Sequence, residues 1–255
     1  MDRQAVERLE GLLQRAHVLS AYRDGPAGRS TIADRARCSP STVYRAEQYL
    51  AERGLIEDTP EGPRVTGPGE VVLDQFERCL DVVEGALALD PLLSVTDPPQ
   101  LVEHLPLLSS AELVEQEPGS PYHIEHRVRE VIAGTDERMA GMATGLGSPT
   151  LAETMFERIR AGVRVEWVLP AETFEYFRTE YGDLAEQAVS TDETAVYVSD
   201  EIPVDLAVYD ETLLVMGFDE ERGILAAAAI TDEPAAIDWA EDLLDGQRDA
   251  AERVA

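Results

Sequence analysis

Five polar side chains crowd one short stretch of the chain: Ser41, Thr42, Tyr44, Arg45 and Gln48. Their chemistry is that of reading base edges. Serine and threonine hydroxyls bond bases or phosphates, arginine forks onto guanine, and glutamine pairs with adenine. On a helix, positions 41, 45 and 48 share one face, opposite an apolar stripe of Val43, Ala46 and Leu50. Arg29, Arg35 and Arg37 lie just upstream and suit phosphates. Arg64, downstream, suits the DNA backbone or minor groove. Taken singly, each arginine is an ordinary surface residue; the ordered set is what points to a nucleic acid.

Other chemistries find less. His123 and His126, with Glu125 between them, have a spacing that can put two metal ligands on one helix face. Pro121-Tyr122 precedes them and no third ligand is evident, so they read as surface or core histidines and no metal is expected. His17 and His104 are isolated. No Ser-His-Asp order and no glycine-rich phosphate loop stands out, so neither catalytic residues nor a cofactor is expected. Cys38 and Cys79 are too few and too far apart for a disulfide framework or a zinc site.

The elements that must position the arginines and hydroxyls follow from periodicity. Val6, Leu9, Leu13, Ala16 and Leu19 predict a helix over 2–23, ended by a turn at 24–28. A short second helix is predicted over 30–37, with Ser30 as N-cap and Ile32, Ala33 and Ala36 inward. A third is predicted over 40–53, capped by Ser39 with Pro40 at its first position and stopped by Gly54. Residues 55–58 and 64–66 flank a Pro-Glu-Gly-Pro turn as a hairpin. A long helix over 69–90 places Val72, Phe76, Leu80, Val83 and Leu87 along one face, a candidate dimerisation surface. Residues 91–122 carry six prolines and read as a connection with some short helix. Beyond it, strands are predicted at 127–133, 163–169, 195–198, 205–209, 213–218 and 223–230, and helices at 150–161, 171–181 and 234–253. That order argues an α/β sheet. The predicted domains are therefore 1–68, a linking and dimerising region over 69–122, and 123–255.

Charge divides the chain in the same way. The 255 residues carry 21 basic side chains, all arginine, against 51 acids, a net of −30. Residues 1–70 hold 10 arginines and 11 acids, a net of −1, leaving 11 arginines and 40 acids, a net of −29, for the rest. Within 27–45 four arginines face one acid. An acidic surface suits a salt-rich cytoplasm, where ions screen self-repulsion. A segment spared that acidity is one an anion must approach. No apolar run reaches the roughly 18 residues of a membrane span, and residues 1–13 carry no apolar signal core. A cytoplasmic chain without a membrane partner is expected.

The order helix, short helix, turn, helix, hairpin resembles the winged helix-turn-helix. The carrying residues are Thr31 through Arg45, followed by Leu50, Gly54, Leu55 and Ile56. Residues from about 123 onward resemble the C-terminal domain of TrmB-like and methanogenesis-regulator-type archaeal transcription factors, including haloarchaeal ones. There the resemblance rests on residues 159–170, 204–217, 223–225 and 239–244. It implies a transcriptional regulator that binds double-stranded promoter DNA as a homodimer. It also implies a phospholipase-D-like α/β domain used as a sensor, with a sugar or another compound of central metabolism as effector. Phospholipase D chemistry needs a histidine, a lysine two residues on and an aspartate after four more. Aligning Asp210 with that aspartate puts Pro203 and Asp205 at the other two positions. Proline offers no nucleophile, and an aspartate reverses the charge that would hold phosphate. Two alternatives stay open: a non-sensing interaction or architectural protein, and an enzyme tethered to DNA.

Overall fold

The computed structural model describes residues 2–96, 101–116, 120, 122–145, 147–191, 193–219 and 224–254. The chain forms two compact units, Met1–Asp81 and Val82–Ala255.

In the first unit, helices α1 (Arg3–Leu13), α2 (Ala16–Ser20), α3 (Arg29–Arg35) and α4 (Pro40–Ala51) precede strands β1 (Ile56–Thr59) and β2 (Gly62–Val65). Helix α5 (Gly67–Ala88) follows, and the division between the units falls inside it. Val18, Leu19, Tyr22, Ile32, Val43, Leu50, Leu55 and Leu73 build one core. Ser39 caps α4 by accepting from the Thr42 N–H at 3.1 Å, with Pro40 in the first turn. The hairpin is antiparallel, pairing Ile56 with Val65 and Thr59 with Gly62.

Three predicted details differ. The single helix over 2–23 breaks at Arg15, whose backbone leaves the helix at φ −116°, ψ 0° while its guanidinium donates to the Gly11 carbonyl at 2.6 Å. Leu9 and Leu13 are exposed; Val18, Leu19 and Tyr22 fill the core instead. Periodicity reports an apolar stripe but not what covers it. The N-cap of α3 is Gly28, and Ser30 lies inside the helix.

Among the described residues the second unit forms an eight-stranded mixed sheet, with the strands in the order 252–253, 194–198, 164–169, 138–142, 206–209, 212–219, 224–231 and 112–115. Strands β4 (Arg138–Met142), β5 (Arg164–Leu169) and β6 (Thr194–Val198) run parallel. They are joined by α9 (Pro149–Arg160) and α10 (Ala171–Val189), because parallel neighbours need a crossover. Strands β7 (Leu206–Tyr209), β8 (Thr212–Asp219) and β9 (Ile224–Thr231) continue as an antiparallel meander, with β3 (Glu112–Glu115) at the edge. Alternation sends successive residues to opposite faces. Met142, Val168, Leu206, Val208 and Val215 pack with α11 (Pro234–Ala250), α6 (Asp90–Leu93) and α7 (Leu105–Leu108). Met139, Val165, Ala207, Leu214 and Ala228 pack with α8 (His123–Ala133) and α9. Strand β10 (Glu252–Arg253) closes the other edge.

The predicted strand at 127–133 is helical. Ile124, Val128 and Ile132 recur every four residues and are all buried in α8, so the helical period outweighs the β-branched content of the segment. The sequence carries no strand signal at β4, because Arg-Met-Ala-Gly-Met offers no β-branched residue. The proline-rich connection contributes several leucines to the core. Pro91 and Pro106 stand at the starts of α6 and α7, and Leu92, Leu101, Leu105 and Leu108 are buried. Residues 97–100, 117–119 and 121 of that stretch, and residue 223 of a predicted strand, lie outside the described residues. The helix predicted over 171–181 runs on to Val189 across a break at Gly182, whose φ of 44° and ψ of −116° are open to glycine.

Candidate nucleic-acid interface

Helix α4 buries Val43, Ala46 and Leu50 and leaves Ser41, Thr42, Tyr44, Arg45 and Gln48 exposed. At its start the Ser39 hydroxyl lies 2.8 Å from that of Ser41 and 2.9 Å from that of Thr42. One turn on, Gln48 Nε2 donates to the Tyr44 hydroxyl at 2.8 Å. The exposed face therefore presents hydroxyls at the amino end, then Arg45, then a linked Tyr44–Gln48 pair.

The arginines divide into two groups. Arg29, expected at a phosphate, donates its Nε–H to Glu47 Oε2 at 2.5 Å and lies 4.8 Å over the Tyr44 ring. Arg35 donates to the Ala21 carbonyl at 3.2 Å, and Arg64 pairs with Glu57 across the hairpin at 2.6 Å. Among the described residues, the guanidinium groups of Arg37 and Arg45 make no hydrogen bond or ion pair. Arg37 also stands at φ +50° in the turn between α3 and α4. There the Cys38 N–H reaches back to the Ala33 carbonyl at 2.9 Å, a helix ending that usually takes glycine at the left-handed position.

Periodicity gave no sign of Glu47, which is buried on the inward side of α4. It accepts from the Tyr22 hydroxyl at 2.5 Å as well as from Arg29. Burial, then the Glu47 carboxylate, pushes the Tyr22 hydroxyl well above the usual tyrosine range. Arg23 is likewise engaged, donating to Glu70, Asp74 and Glu77 of α5. In sequence both residues look like ordinary surface charge.

Of the predicted dimerisation residues, Val72 and Phe76 are half-buried, while Leu80, Val83 and Leu87 are exposed. Cys79 beside them is exposed too.

In the second unit, Asp210 at the β7–β8 turn accepts from the backbone N–H groups of Asp136, Glu137 and Arg138 at 2.8–3.0 Å. Burial raises its pKa, but those three donors outweigh it and the net shift is downward. Asp205 is half-buried beside Thr144, accepting from its N–H and its hydroxyl. Burial pushes its carboxyl up despite those bonds. A carboxylate here is the reverse in charge of a phosphate-holding lysine. On α8, His126 Nδ1 lies 3.5 Å from Glu130, and Glu125 accepts from the Ser148 hydroxyl at 2.7 Å. Among the described residues no group of three His, Cys, Asp or Glu side chains is placed to hold a metal ion, and no helix is long and apolar enough to cross a membrane.

Comparison with known proteins places the chain. No curated protein matches its sequence. Solved structures give distant likenesses. One is reported as "Structure of TrmBL2, an archaeal chromatin protein, shows a novel mode of DNA binding", at 12% identity over 94% of both chains and a TM-score of 0.45. NucT from Helicobacter pylori matches at 10% identity over 57% of this chain and 99% of its own, with a TM-score of 0.45. A phospholipase D family member, Nuc from Salmonella typhimurium, matches at 16% identity over 57% and 97%, with a TM-score of 0.41. Family models are more direct. The HVO_A0261 N-terminal domain matches residues 3–88, and the middle domain of the methanogenesis regulatory protein FilR1 matches residues 121–250. With half of its length matched by that second model, the chain belongs to the family of the methanogenesis regulatory protein FilR1.

Proposed function

We propose that this protein is a sequence-reading, DNA-binding transcriptional regulator. In this reading α4 enters the major groove and its two units act together in a homodimer. The observation that carries the reading is Arg45: unpaired among the described residues, on the exposed face of α4, inside a segment spared the acidity of the rest of the chain. A recognition helix offers such residues to base edges. Thr42, Ser41, Gln48 and Tyr44 flank Arg45 as readers, and Arg37 takes a phosphate. Arg29, Arg35 and Arg64, tied to protein acceptors, act mainly by holding the motif's shape.

The exposed spacing of Leu80, Val83 and Leu87 is that of a helix–helix seam, which supports α5 as the dimer contact. A near-neutral reader suits concentrated salt, because phosphate contacts lose affinity steeply as salt rises while base contacts and apolar burial do not. The C-terminal unit, whose Asp205 stands where phospholipase D chemistry needs a lysine, acts as a sensor.

Anisotropy titrations on a duplex selected from genomic DNA, over a series of KCl concentrations, test the assignment. Arg45→Ala should relax preference at one base position, costing about 1–3 kcal/mol there. Arg37→Ala should weaken all duplexes alike and lower the salt slope by about one. Equal effects of both variants on every sequence would remove the base-reading role of Arg45.

A further inference from the structure

Residues 44 and 48 stand one turn apart on α4, where side chains are neighbours. Gln48 Nε2 donates to the Tyr44 hydroxyl at 2.8 Å. The Arg29 guanidinium lies 4.8 Å over the Tyr44 ring, and Arg29 in turn donates to Glu47 Oε2 at 2.5 Å. Glu47 is buried and also accepts from the buried Tyr22. A chain of contacts thus runs from the core of the first unit, through a carboxylate, to an exposed amide. That amide is left with a definite remainder. A glutamine side chain offers one carbonyl oxygen and two N–H groups. With one N–H given to Tyr44, a carbonyl and one N–H remain, the pair that the N6–H and N7 of adenine require. Turned over, the amide would accept from the Tyr44 hydroxyl and show two N–H groups, which suit the O6 and N7 acceptors of guanine. The terminal torsion of a free glutamine is broad and two-fold. The bond to Tyr44 therefore bears on which base Gln48 reads.

We propose that Tyr44 is a positioning residue for Gln48, and that the amide it holds reads adenine at one position of the DNA site. This rests on the reading that α4 enters the major groove. Tyr44 acts through its hydroxyl, while Arg29, held by Glu47, backs its ring. An amide held before DNA arrives loses less rotamer entropy on binding. The gain lies in base discrimination rather than in phosphate attraction, so it persists in concentrated salt.

The test selects bound duplexes from a randomised pool with the full-length protein in concentrated KCl, for wild type, Gln48→Ala, Tyr44→Phe and the double variant. Tyr44→Phe keeps the ring and removes only the hydroxyl, at a residue that is exposed. Gln48→Ala should lose a preference for adenine of about tenfold at one position. Tyr44→Phe should lower the preference at that same position by about fivefold. It should leave the affinity for unselected duplex, its salt slope and the thermal midpoint at wild-type values, which a merely structural role would not do. In the Gln48→Ala background, Tyr44→Phe should change nothing further. A preference for guanine at that position would mean that the amide is turned over, and overturns the proposal. So does an unchanged preference in Gln48→Ala or Tyr44→Phe, a loss at a different position in Tyr44→Phe, or additive effects in the double variant. Each of those results leaves a wild type that still selects discrete sites, so the reading by α4 survives them. A wild type that selects no sequence removes that reading, and the positioning role with it.

Discussion

Tyr22 donates its hydroxyl to Glu47 at 2.5 Å, joining the segment after α2 to the inward face of α4 through a carboxylate that Arg29 also holds. The network ties α4, the helix that carries Arg45, to Tyr22 and Arg29. Removing one donor leaves a buried carboxylate underpaired. Tyr22→Phe should therefore destabilise the N-terminal unit by about 2 kcal/mol, read as a lowered urea midpoint with an unchanged slope. Arg29→Ala should act in the same direction and weaken DNA binding through stability. If Tyr22→Phe leaves the midpoint unmoved, the network does not hold α4.

Arg37 adopts φ +50°, a conformation that costs a non-glycine residue about 1 kcal/mol. Arg37→Gly should raise the thermal midpoint while lowering affinity for DNA. Opposite signs in the two measurements would mark a residue kept for its charge at the expense of backbone strain. A fall in both would make it structural.

Asp210 and Asp205 titrate with opposite consequences. The folded pKa of Asp210 is depressed, so its stabilisation is present above the ordinary aspartate pKa and is lost as pH falls through the folded value. The folded pKa of Asp205 is raised, so its favourable contribution is present below the ordinary pKa and is lost as pH rises through the folded value. At neutral pH, Asp210→Asn should lower the denaturant midpoint and Asp205→Asn should raise it. Both differences should vanish in acid. A midpoint for Asp205→Asn below wild type at neutral pH would mean that its bonds to Thr144 outweigh its burial.

Leu80, Val83 and Leu87 define the dimer prediction. Light scattering in concentrated KCl should give twice the chain mass for wild type and the single-chain mass for Leu80→Asp with Leu87→Asp. In a Cys38→Ser background, a bismaleimide should join two chains through Cys79, which is exposed beside that face. A monomeric wild type would leave α5 without the assigned role.

Much of the reading motif was legible because its signals are local. Ser39-Pro40 announces the start of α4, and the Val43, Ala46, Leu50 stripe fixes which side faces out. What was not legible depends on distant partners. Leu9 and Leu13 keep the same period as a core stripe yet face outward. Val128, Val131 and Ile132 look like a strand until Ile124 extends the pattern to helical spacing. Glu47 and Arg29 look like surface charge until Tyr22 is brought beside them. Trp167 reads as an apolar strand residue, and only the fold shows that its buried N–H finds no acceptor among the described residues.

The central claim is that α4 reads sequence. The most direct measurement captures genomic fragments on the protein in concentrated KCl and sequences what is retained, comparing wild type with Arg45→Ala and Thr42→Ala. Discrete retained sites in wild type, lost or altered in both variants, are the predicted result. Retention without any preferred sequence, or the same sites in all three proteins, would contradict it.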